Sequence, residues 1–85
     1  MYTVYVLYSK AFKKIYIGYT TNLEQRLNSH NLLAKKGYTV KYRPWSVVFV
    51  ETFATKSEAM KREKNLKGAK GREEIWALID EKITL

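Results

Sequence analysis

The chain has 85 residues, and a chain of this size buries only about 60 to 65% of its unfolded surface, so one domain over 1–85 is expected. Sixteen Lys and Arg against eight Asp and Glu leave a formal charge of +8, which points to a polyanionic partner, either nucleic acid or an anionic membrane surface. The absence of cysteine excludes disulfides and thiolate zinc sites and suits a cytoplasmic protein, while no run approaches the roughly 20 apolar residues of a membrane span.

Tyr2 to Tyr8 and Lys14 to Tyr19 are β-branched and aromatic runs joined by a Lys- and Ser-containing turn, and they read as an antiparallel hairpin. The start lacks the charged and apolar regions of a signal peptide. Alternation puts Tyr2, Val4, Val6 and Tyr8 on one face of the first strand and Thr3, Tyr5 and Leu7 on the other. In the second strand Ile15, Ile17 and Tyr19 oppose Lys14, Tyr16 and Gly18, so the more polar faces carry Tyr5 and Tyr16. Hairpin register decides whether those two faces coincide, and the pattern leaves it open.

Thr21 or Asn22 caps a predicted helix running to about Lys35, with Leu23, Leu27 and Ala34 on one stripe, His30 within it and Arg26 on its rim. Lys35 to Pro44 reads as a basic, aromatic loop containing Gly37, Tyr38 and Tyr42, and Trp45 to Phe53 as a third strand. Thr55-Lys56-Ser57-Glu58 is a capping box opening a second helix, which ends before Gly68 with that glycine as a left-handed cap. Its apolar side is Ala59, Met60 and Leu66, and Glu63 projects near the middle of it. A third helix is expected from Gly71, with Glu73 and Glu74 in an acidic first turn and a broad face of Ile75, Trp76, Leu78 and Ile79.

Charge is unevenly spread: from Lys35 to Arg72 there are eleven basic residues and three acids, which favours a binding surface over charge that serves only solubility. A carboxylate on an inward helix face, as at Glu63, costs several kcal/mol unless it is paired or metal-bound. Its plainest partner is a nearby lysine. His30 on an apolar stripe raises the same choice between a hydrogen-bonded core histidine and a catalytic one. Tyr5 and Tyr16 suit strands whatever else they do. Arg26 reads alone as a solvated helix charge, and Gly18 as a bulge or a strand end that lets another group approach closely.

Taken in order, Thr3-Val4-Tyr5, Tyr16-Ile17-Gly18-Tyr19-Thr20, Leu23, Arg26-Leu27 and His30, then Glu63 in a later helix, resemble the GIY-YIG nuclease domain. The likeness spans nearly the whole chain and is nearest to small stand-alone bacterial members related to the N-terminal nuclease domain of the bacterial excision-repair endonuclease. Thr3 stands where the first motif has its glycine, and Asn65 is the only asparagine beyond Glu63. The resemblance implies an α+β domain of order β-β-α-β-α-α, with a central three-stranded antiparallel sheet flanked by helices. It also implies an endonuclease dependent on Mg²⁺ or Mn²⁺, acting in DNA repair or processing, with Tyr5, Tyr16, Arg26, His30 and Glu63 catalytic and Glu63 the metal ligand.

In that assignment Arg26 pairs with non-bridging phosphate oxygens, His30 relays a proton, Tyr5 orients water or phosphate, and Tyr16 acts as base or orients the water. An ordinary phenol titrates about 3 units above neutral, a gap of about 4 kcal/mol that a metal or Arg26 must close. Nucleic acid, with DNA favoured over RNA, is expected to bind through Lys35, Lys36, Lys41, Arg43, Lys67 and Lys70 with strong salt dependence and little sequence choice. With no appended DNA-binding domain expected, a partner protein for targeting is a further expectation. The alternatives are a non-catalytic nucleic-acid-binding module, with Tyr38 and Tyr42 as stacking aromatics, and a protein-interaction domain.

Overall fold

A computed structural model of the chain describes residues 1–33 and 35–84. Strands β1 (Tyr2–Ser9), β2 (Lys14–Thr20) and β3 (Ser46–Phe53) form an antiparallel sheet in the order β2-β1-β3, so β2 is an edge. Helices cover both faces, giving the expected α+β architecture: α1 (Leu23–Asn28) and a short α2 (Tyr38–Lys41) precede β3, and α3 (Lys56–Lys67) and α4 (Ala69–Thr84) follow it. No helix of the described residues is long and apolar enough to cross a membrane.

The alternation read from sequence sorts the core. Val4, Val6, Tyr8, Ile15 and Ile17 pack with Ala59 and Leu66 of α3 and Ile75 and Ile79 of α4. The opposite face buries Tyr5, Leu7 and Trp45 beneath Leu23, Leu27 and Tyr42. Tyr5 therefore does not lie on a polar face; it is fully buried. The register resolves what the pattern left open: Tyr5 pairs with Gly18 and Leu7 with Tyr16, so both tyrosines project from the same side of the sheet.

The helix starts agree with the sequence. Asn22 Oδ1 accepts the backbone N–H of Gln25 at 3.1 Å, and Thr55 Oγ1 accepts that of Glu58 at 3.3 Å while its hydroxyl donates to the Glu58 carboxylate at 2.9 Å.

The predicted helix to Lys35 instead ends at Asn28 and widens into a π-turn over Ser29–Leu33. Tertiary hydrogen bonds account for the change. Arg43 Nε and Nη2 donate to the carbonyls of His30 and Ser29 at 2.6 and 3.2 Å, and Asn31 exchanges two hydrogen bonds with the Trp45 backbone at 2.7 and 3.0 Å. Ala34, expected on the apolar stripe, lies outside the described residues. The predicted loop from Lys35 to Pro44 contains α2, tied to the residue just before β3 by Trp45 Nε1 donating to the Thr39 carbonyl at 2.7 Å, and the strand expected from Trp45 starts at Ser46.

Gly68 is extended (φ −72°, ψ 167°) rather than left-handed, and the chain passes at once into α4, which starts at Ala69. Gly71 is thus inside the helix, and Glu73 and Glu74 fall beyond its first turn. A Cβ at Gly71 would lie 2.5 Å from the Asn65 carbonyl oxygen and 2.6 Å from Leu66 Cα, so the glycine serves close helix packing and not helix initiation. Met60, assigned to the apolar side of α3, is 48% exposed.

Candidate active site

The site forms around the β2 edge. From one face, β2 presents Tyr16 and Gly18, and α1 brings Arg26 over them; from the other, α3 brings Glu63. Tyr16, Gly18, Arg26, Glu63 and Lys67 line one cleft of about 550 Å³. Tyr5 and His30 stand behind it. Tyr5 Oη and His30 Nε2 are 3.0 Å apart, and the His30 ring centroid is 4.7 Å from that of Tyr16 and 6.0 Å from that of Tyr5. All five residues named from sequence order thus meet in one region.

Gly18 makes the packing possible. A Cβ there would sit 2.7 Å from Tyr5 Oη and 2.8 Å from its Cζ, closer than packed atoms tolerate. Gly18 is neither a bulge nor a strand end, since it lies within β2 in register with Tyr5, but the close approach expected there occurs, and the group is the Tyr5 phenol. Gly18→Ala is expected to cost about 1–3 kcal/mol through overpacking, which for a domain of this size lowers the melting temperature by roughly 4–8 °C per kcal/mol. Thermal melts followed by circular dichroism measure it; an unchanged midpoint would show that Tyr5 moves freely.

Burial pushes the Tyr5 phenol above its ordinary range; Arg26 opposes this, while Tyr16 and Glu63 reinforce it. Contact with Tyr5 in turn holds the Arg26 guanidinium further toward its charged form. Burial, together with the positive charges of Arg26 and Arg43, lowers the His30 pKa. At neutral pH both members of the Tyr5–His30 pair are therefore uncharged, and one proton lies between them, on Oη or Nε2 according to the tautomer.

An unfolded histidine titrates near 6.5, so a folded His30 that titrates lower contributes stability fully present above that value. The contribution disappears as pH falls through the folded pKa. The melting temperature is expected to drop below about pH 6.5, and His30→Gln to flatten that part of the profile. An identical profile in the variant would contradict the assignment.

Glu63 is 19% exposed and pairs with Lys67 at 3.1 Å, one turn on along α3. The plain reading of Glu63, a lysine partner, thus holds together with its place in the cleft. Among the described residues no three His, Asp or Glu side chains are grouped to cage a metal ion. A single carboxylate facing an open cleft nevertheless fits Mg²⁺ or Mn²⁺, since Mg²⁺ commonly takes one or two carboxylates and keeps several waters.

The chain matches the GIY-YIG catalytic domain over residues 1–75. It belongs to the GIY-YIG family. A UPF0213 protein of Staphylococcus haemolyticus is 44% identical over 64 residues, covering 75% of this chain and 77% of that one. Another from Natronomonas pharaonis is 44% identical over 64 residues, covering 75% and 74%. The solution NMR structure of a UPF0213 protein from Bacillus halodurans is similar at a TM-score of 0.54 and 28% identity, covering 92% of this chain and 85% of that one. Membership of the GIY-YIG family implies nuclease activity and a nucleic-acid substrate.

Around this GIY-YIG site the basic residues named from sequence divide. Lys67 lines the cleft. Lys35, Lys36 and Lys41 are exposed on the segment around α2, and Lys70 is exposed and lines a separate cleft with Gly68 and Gly71. Arg43 is half-buried and its guanidinium holds the carbonyls of the π-turn that carries His30. Asn65 accepts from Arg62 at 2.9 Å, and Arg62 also pairs with Glu51 at 2.9 Å. Lys13 and Lys14, which line the neighbouring surface of β2, lie before the basic segment, and only the strand order brings them near the site.

Proposed function

We propose that this single domain is a divalent-metal-dependent endonuclease that hydrolyses phosphodiester bonds of nucleic acid, DNA in preference to RNA, with Tyr5, Tyr16, Arg26, His30 and Glu63 as its catalytic set. The observation that carries the reading is the meeting of Tyr16, Arg26 and Glu63 in one cleft, drawn from separate elements on opposite faces of the sheet.

Hydrolysis joins a water oxygen to phosphorus, breaks the bond to the departing oxygen, and moves a proton from the water to a base and another to the departing oxygen. Glu63 would hold Mg²⁺ or Mn²⁺, which when bound supplies positive charge to the phosphoryl group and the departing oxygen. Arg26, exposed at the mouth of the cleft, pairs with the non-bridging oxygens. Tyr16 Oη orients the attacking water or takes its proton, and the His30 ring packed against it passes the proton on. Tyr5, held by His30 and wedged over Gly18, fixes the position of both rings.

Chelation tests the metal requirement. Plasmid, single-stranded DNA and RNA incubated with Mg²⁺ or Mn²⁺ are expected to be cut, with EDTA abolishing cleavage and excess metal restoring it. Cleavage that persists in EDTA would rule the mechanism out.

The Glu63–Lys67 ion pair favours one further reading, a nucleic-acid-binding module that keeps the scaffold without catalysis. It requires metal-independent binding, unchanged in Glu63→Ala, with no cleavage of any substrate.

A further inference from the structure

Lys67 sits where two clefts meet. Besides the cleft of Glu63 and Arg26, it lines a second of about 540 Å³ further along the β2 edge, and Tyr16 and Ile17 are common to both. Among the described residues the second cleft is walled by three other cations, Lys13, Lys14 and Arg72, has no acidic lining residue, and carries Tyr38, which is 45% exposed. A cluster of cations beside an accessible aromatic ring suits a nucleic-acid strand, with phosphates on the cations and a base against the ring.

The Lys67 backbone is fixed while its side chain is half in solvent and paired only at its tip with Glu63. It is the last residue of α3, and its carbonyl accepts from Arg72 Nε at 3.2 Å. Its side chain is 50% exposed, on a flexible four-carbon stem. Glu63 is only 19% exposed, but its Lys67 partner is half in solvent and one helical turn away, so the pair is a weak one and little opposes its exchange. A divalent cation on the Glu63 carboxylate would compete for the same oxygen and repel the ammonium.

We propose that Lys67 is an exchangeable cation: it occupies Glu63 when no divalent cation is present, and when one binds it turns into the neighbouring cleft and takes a phosphate of the nucleic-acid strand next to the one being cut. The inference rests on the reading of Glu63 as the metal ligand. Metal and nucleic acid then favour each other's binding through one side chain, and by thermodynamic reciprocity each does so by the same factor.

The test uses the full chain in a Tyr16→Phe background, which suppresses cleavage, and compares Lys67→Gln with Lys64→Gln, an exposed lysine of α3 that lines neither cleft. Mn²⁺ binding is followed by electron paramagnetic resonance and binding of a labelled oligonucleotide by fluorescence anisotropy. Lys67→Gln is expected to bind Mn²⁺ alone about 2- to 5-fold more tightly. Its oligonucleotide affinity should match the parent in EDTA and fall in Mn²⁺, with the salt slope smaller by about 0.7–0.9. Lys64→Gln should show no such metal-dependent difference.

Equal weakening with and without Mn²⁺ would make Lys67 a fixed phosphate ligand and overturn the exchange. Unchanged affinities throughout would leave only a surface ion pair and overturn it too. Mn²⁺ binding that survives Glu63→Gln removes the metal site and this proposal together, whereas binding lost in Glu63→Gln but indifferent to Lys67→Gln overturns the exchange alone.

Discussion

Arg26→Ala is expected to lower kcat/KM for phosphodiester cleavage by about 10²- to 10³-fold, the loss typical of removing one group that stabilises charge in the transition state. Its melting temperature should stay nearly unchanged. The residue is exposed where it lines the cleft, and Tyr5 keeps its His30 partner when the Arg26 contact is removed, so truncation leaves the core intact. What goes is the guanidinium that reaches over Tyr5 and Tyr16 toward the space a phosphate would enter. Arg26→Lys should recover little, because an ammonium replaces a planar fork of donors with a single point charge. Initial rates on a labelled oligonucleotide decide the matter. Activity near wild type in Arg26→Ala would show that the phosphate binds elsewhere.

Arg26 and Glu63 approach the cleft from opposite faces of the sheet, and that arrangement explains which parts of the molecule were readable from sequence. Within each strand, period-two alternation sorts Val4 and Val6 from Tyr5, and Ile15 and Ile17 from Tyr16, because both sheet faces are covered by helices and every slip would be penalised. The caps at Asn22 and Thr55 were readable because capping is local, with donor and acceptor three residues apart.

The π-turn at Ser29–Leu33 was not readable, since its determinants, Arg43, Asn31 and Trp45, act across 13 to 14 residues. Gly71 departs from its local pattern for a related reason. A glycine reads locally as a helix boundary, whereas here it lets α4 approach the end of α3.

For the site, sequence order supplied the names and inward helix geometry marked Glu63. The convergence itself came from tertiary structure: the Tyr5–Gly18 register, the edge position of β2, and the packing of α3 behind it. Arg43 shows the converse. Read as one more cation of a basic surface, it instead donates two hydrogen bonds to the backbone around His30. Net charge counts such residues without saying where their guanidinium groups point.

If Glu63 makes this cleft a metal-dependent phosphodiesterase centre, its charge and not its bulk carries the activity. Glu63→Gln keeps the size of the side chain and removes its charge, so the helix and the packing of Ala59 and Leu66 around it should survive. The loss of the ion pair between Glu63 and the half-exposed Lys67, one helical turn apart, changes stability by about 1 kcal/mol or less. The deciding measurement is therefore the cleavage rate of wild type and Glu63→Gln, purified side by side, in Mg²⁺ or Mn²⁺. Metal-dependent cleavage by the wild type, reduced at least about 10³-fold in a folded Glu63→Gln, is the expected result; equal rates, or no Glu63-dependent cleavage of DNA or RNA, would contradict it.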